Sequence, residues 1–303
     1  KGDPTRARAN GAIVIPGGSS ANVTLQNINF EDFGGDTTSG NVIIAGQDEA
    51  LFGGTLNITN CSFSNFGKNG ITVKGGTANI TGGTINVGTT NDTLGRAPNG
   101  IQIDYGAEAS ISGCAITNSS STHENWSATG ILTLRGGKTE ASNITFVNCE
   151  SAFHVTNYYD SGSEQTTGSF SSITNSTFTN CKTAIANDTG ETIGGNGGTW
   201  TPSSSAALST EVIDQLPEGT TIKLAENVQL DAMLNINTNG ITLDLGGYTI
   251  TASGSFASTY ENDSHLVNVH GDDVTIKNGT LQTTTSNKHA LNVYDASRFK
   301  LEN

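Results

Sequence analysis

A short pattern of apolar and polar residues recurs along the chain. In order, its positions are apolar, any residue, apolar, any residue, Asn or Gly, any two residues, and apolar. We call the Asn or Gly the pivot. Neighbouring pivots are 33 residues apart from Asn27 to Asn60 and 31 apart from Gly82 to Gly113. Alternating apolar residues predict short strands, and a period of this length predicts stacked units that share one core. The pattern places pivots at Asn27, Asn60, Gly82, Gly113, Asn143, Asn175, Gly247, Asn278 and Asn303.

Each unit is predicted to contain three strands and a bend. A strand of the form small, apolar, any residue, apolar precedes most pivots, as in Gly70, Ile71 and Val73. The pivot is Asn or Gly because these residues adopt the left-handed conformation of a bend at little cost. We expect apolar residues three positions after the pivot to stack inside the protein, and polar residues five positions after it to bond between units. These two columns are Phe30, Phe63, Ile85, Ile116, Phe146 and Phe178, and Asp32, Asn65, Asn118, Asn148 and Asn180.

The pattern breaks near residue 187 and predicts three regions. Residues 1–187 are expected to form coils without a front cap, and residues 188–208, rich in Gly and Ser, are predicted to be a linker. Residues 209–303 are expected to hold a short capping helix and the front coils of a second segment. Ser209 or Thr210 is predicted to cap that helix, which would run from Glu211 to Leu216.

Several phrases carry a family resemblance: NITNCSF, NGITVKGGTANITGGTI, NGITLDLGGYTIT and DDVTIKNGTLQ. They resemble the right-handed parallel β-helix of the pectin-lyase-like superfamily, and most closely the β-helix regions of large secreted bacterial surface proteins of the adhesin type. The resemblance implies an all-β fold, a right-handed parallel β-helix solenoid in two segments. It also implies an extracellular or cell-surface location. Because the fold hosts lyases, hydrolases, phage tail-spikes and adhesins, it does not define a function.

Charge narrows the choice of partners. The net charge is −14, with 14 basic and 28 acidic residues, and phosphate binding needs clustered Lys and Arg. Nucleic acid is therefore not an expected partner. No apolar run of the sequence approaches the length of a membrane span, so membrane insertion is not expected either.

No catalytic group, metal site or cofactor is predicted. Enzymes of the resembled superfamily are expected to hold Ca²⁺ with clustered Asp residues beside a basic residue. In this sequence Asp104 is predicted to align with Lys74, Arg135 and Thr156 in neighbouring units, which gives no such cluster. The five His residues are scattered, although His265 and His289 could stack. The chain is therefore expected not to be an enzyme.

Loop aromatics are candidates for binding carbohydrate, because ring faces stack on the C–H surfaces of sugars. One candidate is Trp126. The other group is Tyr158, Tyr159 and Asp160, which leaves a different corner of the predicted solenoid.

The four cysteines allow two interpretations. Cys149 and Cys181 both fall six residues after a pivot in adjacent units, within disulfide range if strands are about 4.8 Å apart. Cys61 and Cys114 lie two units apart and would not pair. The alternative is that all four are buried thiols that act as small apolar residues.

These observations predict a structural or adhesive extracellular protein. With the front cap in the middle of the chain, one subunit could stack head to tail on the next and form a fibre. The ends that would carry this contact are Ala12, Ile13 and Ile15, and Phe299, Leu301 and Asn303. One alternative is a fragment of a giant tandem-repeat adhesin whose neighbouring repeats are the partners. Another is a polysaccharide lyase or glycoside hydrolase.

Overall fold

The computed structural model describes residues 11–33, 41–47, 50–87, 98–118, 129–157, 170–204, 207–257, 265–283 and 289–303. These residues form strands β1 to β30, numbered in chain order, and one short helix, α1. Neighbouring strands of each sheet pair in parallel. The protein is therefore all-β, with a solenoid-like architecture of stacked parallel sheets.

Sheets A and B are built from the first two thirds of the chain. Sheet A has the order β1 (Ile13–Ile15), β4 (Ile43–Ala45), β7 (Asn69–Lys74), β10 (Asn99–Asp104), β13 (Thr129–Leu134), β16 (Ser151–Thr156) and β19 (Thr183–Asn187). Sheet B has the order β17 (Phe170–Thr174), β14 (Lys138–Ser142), β11 (Glu108–Ser112), β8 (Thr77–Thr81), β5 (Thr55–Thr59) and β2 (Asn22–Gln26).

Sheet C has eleven strands and runs through the whole stack. We call each sheet C strand, together with the chain that leads to it, a coil. The strands, in spatial and chain order, are β3 (Asn29–Phe33), β6 (Ser62–Phe66), β9 (Thr84–Val87), β12 (Ala115–Asn118), β15 (Thr145–Val147), β18 (Ser176–Cys181), β20 (Gly198–Pro202), β21 (Thr221–Lys223), β24 (Thr242–Asp244), β27 (Thr275–Lys277) and β30 (Lys300–Glu302).

The last part of the chain adds two smaller sheets. Sheet D is β22 (Val228–Ala232), β25 (Thr249–Ala257) and β28 (Thr280–Gln282), and sheet E is β23 (Leu234–Ile236), β26 (His265–Val269) and β29 (His289–Val293). Helix α1 (Thr210–Ile213) lies where sheets A and B end and sheets D and E begin. It contacts both β19 and β23.

One residue in each coil makes a left-handed bend before sheet C. Its φ ranges from 49° at Asn175 to 81° at Gly219, where a β-branched or bulky residue would be strained. These bends place the next strand in register, so Thr177, Thr199 and Thr221 are partners in sheet C. The bend residues are Asn27, Asn60, Gly82, Gly113, Asn143, Asn175, Gly197, Gly219, Gly240, Asp273 and Arg298.

The last three predicted pivots were wrong in position. Leu243 on β24 pairs with Ile222 and Ile276 inside sheet C, so Gly247 and Asn278 follow sheet C instead of preceding it. Asn303 likewise follows a sheet C strand, β30. The corner before sheet C and the corner after it both need left-handed residues between alternating apolar strands, so these two corners have the same sequence pattern.

The predicted inward column is confirmed, and the polar column is confirmed for two pairs, Asp32 with Asn65 and Asn148 with Asn180. The rings of Phe30 and Phe63 stack with centroids 5.0 Å apart, and those of Phe146 and Phe178 with centroids 5.3 Å apart. The polar column bonds between coils, because Asn65 Nδ2 donates to Asp32 Oδ1 at 2.6 Å. One cluster of buried apolar side chains extends from Ile15 to Ile276, and so passes through both parts of the chain.

The predicted linker 188–208 and the division into two segments are not confirmed. Strand β20 lies within that stretch and pairs with β18 and β21, which joins the two parts through sheet C. Trp200 on β20 is fully buried, and its Nε1 donates to the Cys181 carbonyl oxygen at 3.2 Å. The Gly-rich composition favoured a flexible connector, but a Trp between two Thr residues marks a strand with one buried face.

Helix α1 begins as predicted but does not close an end of the stack. Ser209 is its N-cap and accepts from the Val212 amide. The helix ends at Ile213, three residues before the predicted end. Thr210 Oγ1 accepts from the Asn235 amide at 2.9 Å, and Gln215 Oε1 accepts from the Asn187 amide at 3.0 Å. The predicted front cap therefore lies inside the stack, between coils on either side.

Replacement of one bend residue tests the left-handed corner. Asn143 has φ of 54°, and we expect Asn143→Ala to lower the free energy of unfolding by about 1–2 kcal/mol, because Ala is strained there. Asn143→Gly is the control, and it should leave the midpoint of urea unfolding close to that of the wild type. Equal midpoints for the Ala and Gly variants would contradict the role of the bend.

Candidate functional site

The polar cluster with the deepest burial lies at the carboxyl ends of sheet A strands. Asp104 ends β10, and Arg135 directly follows β13 in the next coil. Their side chains are 0% and 4% exposed, so an ion pair lies almost entirely out of water. A buried charge is costly unless it is paired and fully hydrogen-bonded. Because buried charged groups are often functional, this cluster is a candidate site.

The Asp104 carboxylate is bonded on both oxygens. Oδ1 accepts from Arg135 Nε at 2.5 Å and from the Tyr105 amide at 2.8 Å. Oδ2 accepts from Arg135 Nη2 and from Gln102 Nε2, the latter at 2.9 Å. This bidentate arrangement matches the planar fork of the guanidinium. A carboxylate that already accepts four hydrogen bonds has little capacity left to bind Ca²⁺.

Tyr105 completes the cluster. The Arg135 guanidinium carbon lies 3.8 Å from the centroid of the Tyr105 ring, and Arg135 Nη1 donates to the Tyr105 hydroxyl at 2.7 Å. Lys74 Nζ lies 5.7 Å from the same centroid, from the coil on the other side. Tyr105 and Arg135 have φ of 50° and 48°, so both make the left-handed turn that leaves sheet A. The cluster thus ties three successive coils together at one corner.

A chain of amides and hydroxyls continues from the cluster across sheet A. Gln102 Oε1 accepts from Asn69 Nδ2 at 2.8 Å, and Asn69 Oδ1 accepts from Asn99 Nδ2 at 3.1 Å. Asn69 Nδ2 also donates to Thr72 Oγ1 at 2.9 Å. The bonds of Asn69 with Gln102 and Asn99 run from one coil to the next, whereas its bond with Thr72 lies within β7.

The sequence alignment of Asp104 was wrong by one residue in one coil. Ile103 pairs with Thr133, which places Leu134 and not Arg135 beside Asp104. Arg135 instead aligns with Tyr105, since the Gly106 and Gly136 that follow them both have positive φ. Aligning the turns by these glycines places Arg135 beside Tyr105, one position from Asp104.

A more exposed pair lies on the same sheet. His154 Nε2 is 2.7 Å from Asp188 Oδ2, with side chains 25% and 60% exposed. The hydrogen bond with His154 lowers the pKa of Asp188, and a hydrogen bond with Thr156 lowers it further. The pair joins β16 to the residue that follows β19. Because both side chains are partly exposed, it is a surface contact between two coils.

Two histidines of sheet E stack as the sequence suggested. The rings of His265 and His289 have centroids 5.5 Å apart in neighbouring strands. Among the described residues no group of three or more His, Cys, Asp or Glu side chains could hold a metal ion. Two imidazoles alone fall short of the ligand number that zinc requires in proteins.

An open cleft of about 350 Å³ lies beside the bend column near the start of β20. Its lining is uncharged. The amide of Asn196 is bonded within the wall, since its Oδ1 accepts from the Asn175 amide nitrogen at 2.9 Å and its Nδ2 donates to Asn175 Oδ1 at 3.1 Å. The lining residues are Asn175, Ser176, Thr177, Asn196, Gly198, Thr199 and Gly219.

The predicted sugar-binding residues Trp126, Tyr158, Tyr159 and Asp160 lie outside the described residues. All four cysteines are buried free thiols in the structure. Gly83 separates Cys61 from Cys114 in the stack, because the residues that follow these three, Ser62, Thr84 and Ala115, are successive partners in sheet C.

The predicted assembly residues lie in the first and last coils. Ile13 and Ile15 are on β1, an edge strand of sheet A, and Ala12 directly precedes them. Leu301 is on β30, the edge strand of sheet C, and Asn303 follows it. Phe299 packs against the core and is only partly buried.

No protein-family model matches the chain, and neither a curated protein nor a solved structure does. The described residues contain no helix with the length and apolar character needed to cross a membrane.

Removal of Arg135 tests the buried ion pair. Arg135→Met leaves the Asp104 charge buried and unpaired, and we expect it to lower the free energy of unfolding by about 3–5 kcal/mol. Arg135→Met combined with Asp104→Leu should recover most of that loss, because no buried charge remains. Urea denaturation of the single and double variants measures both effects.

The exposed pair of Lys138 and Glu108 gives a matched control, with Nζ to Oε1 at 3.1 Å and side chains 55% and 60% exposed. Lys138→Met should cost less than about 1 kcal/mol. If Arg135→Met cost no more than Lys138→Met, the ion pair would not stabilise the corner.

Proposed function

We propose that the chain is a right-handed parallel β-helix of the pectin-lyase-like type that serves as a structural or adhesive scaffold of an extracellular surface protein. The observation that carries this proposal is that polar side chains along the stack bond to their equivalents in the next coil. Right-handed crossovers are the rule for parallel strands joined within one sheet, which supports the handedness.

The coil-to-coil bonds are found in several columns. In each, a side-chain amide donates to the oxygen of a partner in the neighbouring coil, so the polar groups link coils instead of converging on one point. The pairs are Asn65 with Asp32 and Asn180 with Asn148 at 2.6 Å, Asn79 with Asn57 at 2.9 Å, and Asn268 with Asn235 at 3.1 Å. A stack held in this way is suited to length and rigidity. Eleven sheet C strands at about 4.8 Å each span about 50 Å.

The alternative is a polysaccharide-active enzyme. The Asp104 carboxylate, the most buried acid on sheet A, is bonded to Arg135, Tyr105 and Gln102, which favours the structural proposal.

Incubation with polysaccharides tests this choice. With pectin, alginate and host glycans, each with and without Ca²⁺, we expect no release of unsaturated or reducing ends above a heat-denatured control. Release that depends on native protein would overturn the structural proposal and favour a lyase or hydrolase.

Exposed apolar side chains in the first and last coils favour a contact with further coils. Val14 and Ile28 in the first coil are 40% and 37% exposed. In the last coil Val293, Tyr294 and Leu301 are 39%, 64% and 66% exposed. Exposed apolar side chains on strand edges favour pairing with another strand. We propose that a further coil covers them, either from a second copy of the chain or from an adjoining repeat of a longer protein.

Sheet C offers the simplest contact between two copies. If β30 of one copy continued the ladder onto β3 of the next, Leu301 would extend the inward column onto Phe30. The same register would place Glu302 beside Glu31, and like charges side by side in a sheet are unfavourable. Association should therefore strengthen as salt screens this repulsion and that of the net charge of −14.

Sedimentation over a range of protein and salt concentrations measures this association. We expect the mass of the wild type to rise with both, and Leu301→Asp to keep the chain monomeric. Tyr248 is 36% exposed but lies away from the ends, so Tyr248→Asp is the matched control and should associate like the wild type. If the wild type stays monomeric at every protein and salt concentration, self-stacking is excluded. An adjoining repeat of a longer protein would then be the source of the covering coil.

A further inference from the structure

Cys149 and Cys181 occupy equivalent positions in successive coils. Val147 pairs with Thr179 in sheet C, and each cysteine follows two residues later. Strands in a parallel sheet lie about 4.8 Å apart, within the range of Cα separations that disulfides span. Each cysteine side chain shifts the pKa of the other, so the two sulfur atoms lie near each other.

The backbone holds the two positions in register on both sides. The Asn148 amide donates to the Thr179 carbonyl oxygen at 3.0 Å, and the Lys182 amide donates to the Cys149 carbonyl oxygen at 3.0 Å. The side chains of Asn180 and Asn148 bond at 2.6 Å just before the pair. A shift of one coil along the other would separate the sulfur atoms. The hydrogen bonds before and after the two cysteines oppose such a shift.

The other two cysteines provide an internal comparison. Cys61 and Cys114 are separated by the coil that contains Gly83, so neither has a cysteine in the next coil. The pair at 149 and 181 is thus the one that the described fold brings together.

We propose that Cys149 and Cys181 are a site of oxidation to a disulfide that links two successive coils, while Cys61 and Cys114 stay thiols. The oxidant is a small disulfide such as oxidised glutathione. The thiolate of one cysteine attacks it, forms a mixed disulfide and releases one glutathione thiolate. The thiolate of the other cysteine then attacks the protein sulfur and releases the second. Two protons pass from the cysteines to the two glutathione thiolates.

The two thiols of the pair affect each other's ionisation. Interaction with the Cys149 side chain lowers the pKa of Cys181. The pKa of Cys149 is raised by interaction with the Cys181 side chain and then by burial. Burial also raises the pKa of Cys114 to about 11, which keeps that thiol unreactive. One thiol of the pair therefore ionises more readily than Cys114, and the thiolate is the reactive form.

Access limits when the reaction can occur. Cys149 and Cys181 are 1% and 0% exposed, and Trp200 of the next coil donates to the Cys181 carbonyl oxygen. Glutathione cannot reach the sulfur atoms once Trp200 has packed. The disulfide is thus expected to form during folding, after these two coils meet and before β20 closes over them.

Refolding in a redox buffer tests the site. The reduced, unfolded chain is refolded with reduced and oxidised glutathione, then denatured and alkylated, and its mass is measured. We expect two of the four cysteines to be alkylated, and a Cys149–Cys181 peptide in the digest. The oxidised protein should melt roughly 5–10 °C above the reduced protein, since the crosslink closes a loop of 32 residues (181 − 149).

Two variants make the result specific. Cys149→Ser should leave three alkylated thiols and the same melting temperature in both buffers. The double variant Cys61→Ser and Cys114→Ser should still form the disulfide. Four alkylated thiols in the refolded wild type, or a disulfide that includes Cys61 or Cys114, would overturn the proposal. Oxidation of the already folded protein as fast as during refolding would overturn the order of events.

Discussion

The left-handed bend before sheet C is the constraint on which the rest of the stack depends. Each coil must turn at the same place if its sheet C strand is to pair with the strands on either side. Eleven residues make that turn with positive φ, and all but Arg298 are Asn, Gly or Asp. A coil that turned one residue early or late would exchange the inward and outward faces of its strand. Trp200 and Phe178 would then point into water, and the core would be interrupted.

Stacking at a fixed register also decides what the polar side chains can do. A residue type repeated at one position meets its own kind in the next coil, and Asn is both donor and acceptor, so it satisfies itself. Charges follow the same rule where an acid and a base meet at equivalent positions, as with Glu150 and Lys182, whereas the buried pair of Asp104 and Arg135 is offset by one residue. Polar groups that are used in this way maintain the stack, which is the physical basis of the proposal that the chain is structural.

Much of the fold could be predicted from the sequence, because the bend needs particular residues. Asn and Gly marked the corners from Asn27 to Asn175, and the aromatic and Asn columns followed from their spacing. The later corners were misplaced because Gly247 and Asn278 satisfy the same pattern at a different corner. Strand β20 was missed because the Gly and Ser content of residues 188–208 indicated a linker, and Trp200 alone did not indicate a strand. Asp104 and Arg135 were aligned in one column, but only carboxylates that could bind Ca²⁺ were sought there, so their ion pair was not predicted.

The junction coil has a mechanical consequence. Sheets A and B end there, sheets D and E begin, and in the described part of the chain the two blocks are joined by sheet C and by the single turn of α1. In a repeat protein, stability is close to a sum over neighbouring units, so a coil with fewer shared strands is a weak link. A pulling force along the axis would therefore concentrate at this seam. The stack would yield as two blocks that separate first and unravel afterwards.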